Sequence, residues 1–303
     1  MSTHPVISTR DLTRFYGPTV GVEALDLDIE KGEVFGFLGP NGSGKTTTIR
    51  LLLDLIRPTR GRARLFGEST GDPRVRTRVG YLPGELALDG RMTGERTLDF
   101  LAALAGGHPG SVAGWGGLAE RFGLSGRDLD RKVRDYSRGM KQKLGLISAF
   151  QHEPELLILD EPTTGLDPLV REIVFELMRE RREAGATIFH SSHVLTEVDR
   201  TCDRVAILRG GSLSAILTVH EARAASARHM VVDFGGPPPL AELGAAGVDV
   251  VSSHDRHVVL RVGGLMGPLL GILAQHEVQH LSFPEPSLEE AFNAFYREEE
   301  GGE

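Results

Sequence analysis

A single cysteine, Cys202, excludes an internal disulfide in a chain of 303 residues and suits a reducing compartment. Its setting, Asp199-Arg-Thr-Cys-Asp203, predicts a helix end, where a small buried residue is expected rather than a reactive thiol. Lysine is scarce too. Only five of the 34 basic residues are lysine, an arginine bias that reads as coding preference, since scattered surface arginines need no function. Against 42 acidic residues these leave a net charge of −8, so no nucleic-acid partner is expected. No uninterrupted apolar run approaches the ~20 residues that a bilayer span needs. The opening stretch Met1–Phe15 lacks the apolar core, about 7–15 residues long, of a secretory signal. Work at a membrane would therefore require another molecule to hold this one there. What is present is ordinary for a soluble globular protein, with 40% hydrophobic and 25% charged residues. The length suits one large α/β domain plus a smaller one.

The chemistry begins at Val34–Leu53, VFGFLGPNGSGKTTTIRLLL. The apolar run Val34–Leu38 predicts a buried strand, and Ile49–Leu53 continues as an apolar helix. Between them, Gly39-Pro40-Asn41-Gly42-Ser43-Gly44-Lys45-Thr46 fits the phosphate-binding pattern G-x-x-x-x-G-K-[ST] in its required strand–loop–helix setting. Residues without a Cβ let consecutive N–H groups curl around an anion. A helix starting near Lys45 adds its positive dipole end and unpaired amides. Lys45 can reach the β- and γ-phosphates of a nucleotide, and the Thr46 hydroxyl can ligate Mg2+.

Along the rest of the chain, Val6–Leu12 and Val22–Ile29 alternate apolar with polar residues, as half-buried strands do. Ala24–Val34 predicts a hairpin: a strand, a tight turn at Lys31-Gly32, and the strand feeding the phosphate loop. Tyr16 precedes it and fits two readings equally, an aromatic stacked on an adenine ring or a half-buried strand aromatic. Val75–Leu86 carries a short strand ending at Pro83. Met92–Arg134 predicts helix–loop–helix, with Trp115 as a packing anchor in the Gly-rich break Gly106–Gly117. Tyr136–Phe150 combines a Ser-Arg-Gly turn with an amphipathic helix, whose opening beside Ser137 and Gly139 presents free amides to an anion.

Leu156–Asp160 is the apolar run of a central parallel strand, and Asp160 and Glu161 stand at its end. Open α/β sheets place ligands at such strand ends. Asp160 is suited to hold Mg2+ indirectly, and Glu161 to position or deprotonate an attacking water. Pro162–Pro168 is a turn, Leu169–Ala184 a charged amphipathic helix, and Ala186–His193 a strand that brings His193 to the same sheet edge. Near Leu217 the character changes. Glu221–His229 reads as a helical connector. Met230–Phe234, Val248–Ser253 and Val258–Val262 predict strands, Gly264–Gln275 a helix, Val278–Phe283 a last strand, and Ser287–Glu300 an acidic closing helix.

These motifs, in this order over roughly residues 5–217, resemble the ATPase subunit of an ATP-binding-cassette (ABC) transporter, most closely exporters of the multidrug and antibiotic-efflux type. The phosphate loop is GPNGSGKTT, which adds Thr47, and the acidic strand is LLILDEPTTGLDP. SSH supplies a switch histidine at His193, and the family signature, usually LSGGQ, is YSRGM at Tyr136–Met140. The implied fold is an α/β P-loop NTPase of the ABC type, with a mixed sheet core, an antiparallel β subdomain and a helical subdomain over about 86–152. It would occupy residues 1–217, with 218–303 as a small accessory α+β domain.

The resemblance implies ATP and Mg2+ as cofactors and a head-to-tail homodimer in the ATP-bound state. Each ATP would lie between Gly39–Thr47 of one subunit and the signature residues Ser137, Arg138, Gly139 and Met140 of the other. Asp167 would cross the interface, Glu161 would activate water, His193 would contact the γ-phosphate, and Tyr16 matches the adenine-stacking aromatic. Closure and opening would drive separate transmembrane permease subunits, with this chain peripheral on the cytoplasmic side of the cell membrane, energising export of a drug, antibiotic or lipid-like substrate. One departure stands out. The family usually carries Gln after the strand equivalent to VGYLP, where it reaches Mg2+. Here that position is Gly84, so Glu85 is expected to supply the metal-side oxygen.

Two other readings compete. A soluble ATPase of the same superfamily acting on ribosomes or DNA usually carries two cassettes or a long coiled-coil insertion, and this chain has one cassette, no sustained heptads and an acidic balance. A non-hydrolysing nucleotide sensor is compatible with Gly84 but not with the intact set Lys45, Asp160, Glu161 and His193.

Overall fold

The computed structural model describes residues 4–105, 112–225, 228–262 and 266–284, and the chain divides into two units at Leu217 and Thr218. The strands of the first unit are β1 (Ile7–Tyr16), β2 (Thr19–Ile29), β3 (Val34–Leu38), β4 (Arg60–Leu65), β5 (Glu68–Ser69), β6 (Val79–Leu82), β7 (Leu156–Asp160), β8 (Thr187–Ser192), β9 (Arg204–Arg209) and β10 (Ser212–Thr218). An antiparallel sheet has the order β2-β1-β4-β5. The second has the order β10-β9-β3-β8-β7-β6, with β9, β3, β8, β7 and β6 parallel.

β3, β7 and β8 are buried at every residue. Strands covered on both faces need near-continuous apolar runs, and VFGFL and LLILD supply them. Phe189 of β8 stacks with Phe35 of β3 at 6.2 Å between centroids and meets Phe37 at 5.1 Å. The helix Lys45–Leu52 places Ile49, Leu51 and Leu52 in one cluster with Val22 and Leu25 of β2 and Ile158 of β7, so its apolar side joins the two sheets. Each fully buried side chain of this kind contributes about 1.5–3 kcal/mol, and the cluster fixes the helix whose first turn borders the phosphate loop.

The hairpin expected over Ala24–Val34 does not form. β2 pairs with β1, placing Ile29 opposite Ile7, while β3 pairs in parallel with β8 and β9. The Lys31-Gly32 turn therefore carries the chain from one sheet to the other. The reason lies in the burial patterns: β2 mixes buried with exposed residues and suits a half-covered sheet, whereas β3 is apolar on both faces. The tight antiparallel turn falls at Gly17-Pro18, between Tyr16 and its partner Thr19.

Between β6 and β7 the chain is helical, at Gly94–Leu104, Val112–Arg121, Gly126–Leu129 and Arg138–Phe150. Trp115 is buried here and its Nε1 donates to Asp99 at 3.0 Å, the packing role its setting predicts. Part of the Gly-rich break around it, 106–111, lies outside the described residues. No helix among the described residues is long and apolar enough to cross a membrane.

The second unit contains the strands β11 (Arg228–Phe234), β12 (Asp249–His254), β13 (His257–Val262) and β14 (Val278–Ser282) in the order β12-β13-β11-β14, all pairs antiparallel. With helices at Leu240–Ala245 and Met266–Leu273 this is the β-α-β-β-α-β order of a ferredoxin-like module. Met230, Val232, Phe234, Val258 and Leu260 pack with Leu243, Leu269 and Leu273 of those helices. The helix Leu240–Ala245 has no counterpart in the sequence reading, since six residues behind Pro239 are too few to display a helical period. The closing helix expected over Ser287–Glu300 lies outside the described residues.

His190 of β8 is enclosed, with Nε2 at 3.0 Å from Cys202 Sγ and 3.1 Å from Thr201 Oγ1, and Nδ1 without a hydrogen-bond partner. Burial pushes its pKa from 6.5 down to about 4. Between those values the unfolded chain holds a proton here that the folded chain does not. The stabilisation from neutral His190 is therefore complete above pH 6.5 and is lost as pH falls through about 4. The loss amounts to roughly 3 kcal/mol. Thermal melts of wild type and His190→Asn at neutral pH and near the lower value test this. The wild-type midpoint should fall further than that of the variant, and equal falls would remove His190 from the acid response.

Candidate functional site

β3, β8 and β7 are neighbours in the parallel sheet, and their C-terminal ends deliver the Gly39–Gly44 loop, Ser192-His193 and Asp160-Glu161 to one edge. Residues of all three segments line a single cleft of about 710 Å3, together with Tyr16, Glu85 and Arg138.

The loop is built to receive an anion. Gly42 and Gly44 have φ of 84° and 104°, and a Cβ on Gly44 would stand 2.4 Å from the Gly21 carbonyl oxygen, so only glycine fits. The helix Lys45–Leu52 has no side-chain cap, which leaves first-turn N–H groups for a ligand. Ser43 Oγ is buried without a hydrogen-bond partner. Lys45, only 5% exposed, donates from Nζ to the carbonyls of Gly39 at 2.6 Å and Pro40 at 3.1 Å, and lies 3.6 Å from Glu161 Oε1.

On the acidic side, Thr46 Oγ1 donates to Asp160 Oδ2 at 2.9 Å, and Ser191 Oγ donates to Asp160 Oδ1 at 2.5 Å. Glu161 has a left-handed backbone, φ 53°. That conformation costs a non-glycine residue on the order of 1–3 kcal/mol and gathers at functional sites. Its N–H donates to Ser191 Oγ at 3.0 Å, while Oε2 accepts from Thr164 Oγ1 at 3.2 Å and meets His193 Nδ1 at 2.5 Å. Thr46 and Asp160 offer hard oxygens side by side, a donor set that fits Mg2+, which takes its remaining ligands from phosphates and waters. Among the described residues no three His, Cys, Asp or Glu side chains form a metal group of their own, and Mg2+ bound this way requires none.

Tyr16, 41% exposed, closes β1 at the cleft, with the Arg14 guanidinium 4.9 Å from its ring centroid. An exposed ring at this place can stack on a planar ligand. At Gly84 a Cβ would come 3.1 Å from Asp160 Oδ2, so a side chain there would press on that carboxylate. Glu85 is exposed on the cleft wall. Ser137 and Asp167 each cap a helix: Ser137 Oγ accepts from the Met140 N–H at 3.2 Å, and Asp167 from the Val170 N–H at 3.0 Å. Both are exposed, and neither lines the cleft; nor do Gly139 and Met140, whereas Arg138 does.

Thr164, Tyr81 and Ser191 are among the residues in or beside this site that were not singled out from sequence. Thr164 and Tyr81 line the cleft, and the Tyr81 hydroxyl is pushed up by burial and then by the Asp160 charge. Ser191 touches both acids and carries a signal that could have been read, a hydroxyl inside the buried strand TIFHSS.

The sequence profile described as "ABC transporter" matches residues 22–164. The chain is 40% identical over 219 residues to the bacitracin transport ATP-binding protein BcrA of Bacillus licheniformis, covering 70% of this chain and 69% of that one. It is 38% identical over 232 residues to the daunorubicin/doxorubicin resistance ATP-binding protein DrrA of Streptomyces peucetius, covering 73% and 68%. A solved structure described as the ATP binding subunit of an ABC transporter superposes with a TM-score of 0.66 at 33% identity, over 72% of this chain and 92% of that one. The chain spans about two thirds of the length of such curated relatives.

The space around Gly44 gives a direct test. Gly44→Ala forces a Cβ against the Gly21 carbonyl and should lower affinity for ATP more than about tenfold. Equilibrium titration with a fluorescent ATP analogue measures it, and an unchanged affinity would show that the loop tolerates the side chain.

Proposed function

The chain belongs to the ATP-binding subunits of ABC transporters, and from that premise we propose that it hydrolyses ATP to energise export of a drug, antibiotic or lipid-like substrate through separate transmembrane permease subunits. The observation that carries the reading is the meeting of three chemistries in one cleft: the Lys45 loop, the Thr46–Asp160 oxygen pair and the Glu161–His193 contact.

Gly39–Thr47 wraps the polyphosphate of ATP and Tyr16 stacks on the adenine. Thr46 and Asp160 hold Mg2+, with Glu85 supplying a further oxygen where Gly84 has none. When bound, the ion neutralises charge on the phosphate oxygens. Glu161 accepts the proton of the attacking water and His193 contacts the γ-phosphate. The Glu161 carboxylate lies between the Lys45 ammonium and the His193 ring, two groups that also suit a phosphate. A γ-phosphate competing for both would free Glu161 to face water.

Ser137, Arg138, Gly139, Met140 and Asp167 act on the ATP of a second copy in a head-to-tail homodimer, which the exposed positions of Ser137, Arg138 and Asp167 favour. Closure on ATP and opening after hydrolysis form a ligand-switched two-state element that the permease senses. The subunit is peripheral, on the cytoplasmic side of the membrane. Residues 1–217 carry this chemistry, with 218–303 as an accessory domain.

Lys45→Ala should abolish ATP binding in the same titration. Glu161→Gln should retain binding while kcat falls by about 10²–10⁴, because the water loses its base. A Glu161→Gln protein with wild-type turnover would end the assignment of Glu161. Glu85→Ala should raise the Mg2+ concentration needed for half-maximal ATPase rate, and an unchanged Mg2+ dependence would exclude Glu85 from the metal side.

A further inference from the structure

We propose that Ser191, within the ATPase reading on which this rests, is a positioning residue that holds Asp160 and Glu161 in their working arrangement. The hydrogen-bond directions are forced. An ionised carboxylate only accepts and a backbone N–H only donates, so the single Ser191 hydroxyl proton goes to Asp160 Oδ1 while its oxygen receives the Glu161 N–H. One fully buried side chain thus fixes two consecutive residues from the neighbouring strand.

Each bond has its own consequence. Holding Oδ1 at 2.5 Å turns Oδ2 toward Thr46 Oγ1 at 2.9 Å, so Ser191 selects which carboxylate oxygen faces the Mg2+ side. Taking the Glu161 N–H supports a left-handed backbone, φ 53°, that is uncommon for a residue other than glycine. That backbone sends the Glu161 side chain toward Lys45 and His193 rather than along the strand direction. The placement follows from register. Asp160 and Ser191 are Cα partners at the ends of β7 and β8, the last pair of that parallel ladder. An alanine there would fill the strand equally well but would leave a buried carboxylate oxygen and a part-buried N–H without this partner.

The test uses the full-length chain with Ser191→Ala, and Ser191→Thr as the variant that keeps the hydroxyl. Mn2+ stands in for Mg2+ in electron paramagnetic resonance titrations of the ATP-bound protein, alongside metal-free ATP binding, ATPase kinetics and melting temperature. For Ser191→Ala we expect metal-free ATP affinity within twofold of wild type, Mn2+ affinity weakened about tenfold, and kcat lowered about ten- to hundredfold with KM little changed. Ser191→Thr should recover most of both losses, which a loss of packing alone would not produce. Mn2+ affinity and kcat both within twofold of wild type in a folded Ser191→Ala protein would overturn the role. Should Ser191→Ala fail to fold, a Ser191→Thr protein with Mn2+ affinity or kcat lowered as far as expected for alanine would overturn it equally, and wild-type values would uphold it. A wild-type protein that binds ATP but does not turn it over would defeat the ATPase reading by itself, and the Mn2+ titration would still decide whether Ser191 orients Asp160.

Discussion

A buried ammonium has to be answered by nearby oxygen, and much of the cleft is arranged around that requirement at Lys45. Taking a charge of this kind out of water costs several kcal/mol after relaxation. The carbonyls of Gly39 and Pro40 and the Glu161 carboxylate supply the compensation, and all three come from the C-terminal ends of strands. The loop bends back so that its own carbonyls reach Nζ, and Gly42 and Gly44 within it take positive φ. The same charge draws Glu161 inward, and Glu161 in turn meets His193. The loop, Glu161 and His193 are therefore one electrostatic unit.

That unit depends on a sheet whose strands β3 and β7 are apolar up to their ends, with β8 buried between them. β7 and β8 are buried throughout, yet they end in Asp160 and in Ser191-Ser192, and at these ends the Ser191 hydroxyl donates to the Asp160 carboxylate. A further buried carboxylate is also met by hydroxyls just behind the site. Glu197 accepts from Thr163 Oγ1 at 2.8 Å and from Ser192 Oγ at 3.2 Å, tying the segment after β8 to the turn after β7. The strand ends are thus cross-braced by hydroxyls, and the side chains of the cleft at these ends are held by rigid elements rather than by free loops.

That the phosphate-binding pattern, Asp160-Glu161 and His193 would meet at one sheet edge was legible in the sequence, because each is marked by residue type at a fixed spacing next to a strand. Pairing was not. The Ala24–Val34 hairpin failed because contiguity along the chain says nothing about which sheet a strand joins, and only the two-sided apolar character of Val34–Leu38 hinted at the answer. Ser191 was missed for a related reason: its importance comes from lying opposite Asp160, a register fact. Gly84 was legible as a departure, but its meaning in space was not, since the closeness of Asp160 Oδ2 appears only once β6 and β7 are paired. The helix Leu240–Ala245 was too short to show a period, whereas the strands around it were visible from their β-branched runs.

The single cysteine has a practical side. Cys202 is enclosed against His190, and burial holds its thiol up at about 12. At neutral pH its thiolate fraction is on the order of one part in 10⁵. Maleimide reagents will therefore pass it by while the fold is intact. The native chain already serves as a background for site-directed labelling, and pairs of spin or fluorescent labels on cysteines introduced at its surface can report distances between subunits without first removing a residue from the core.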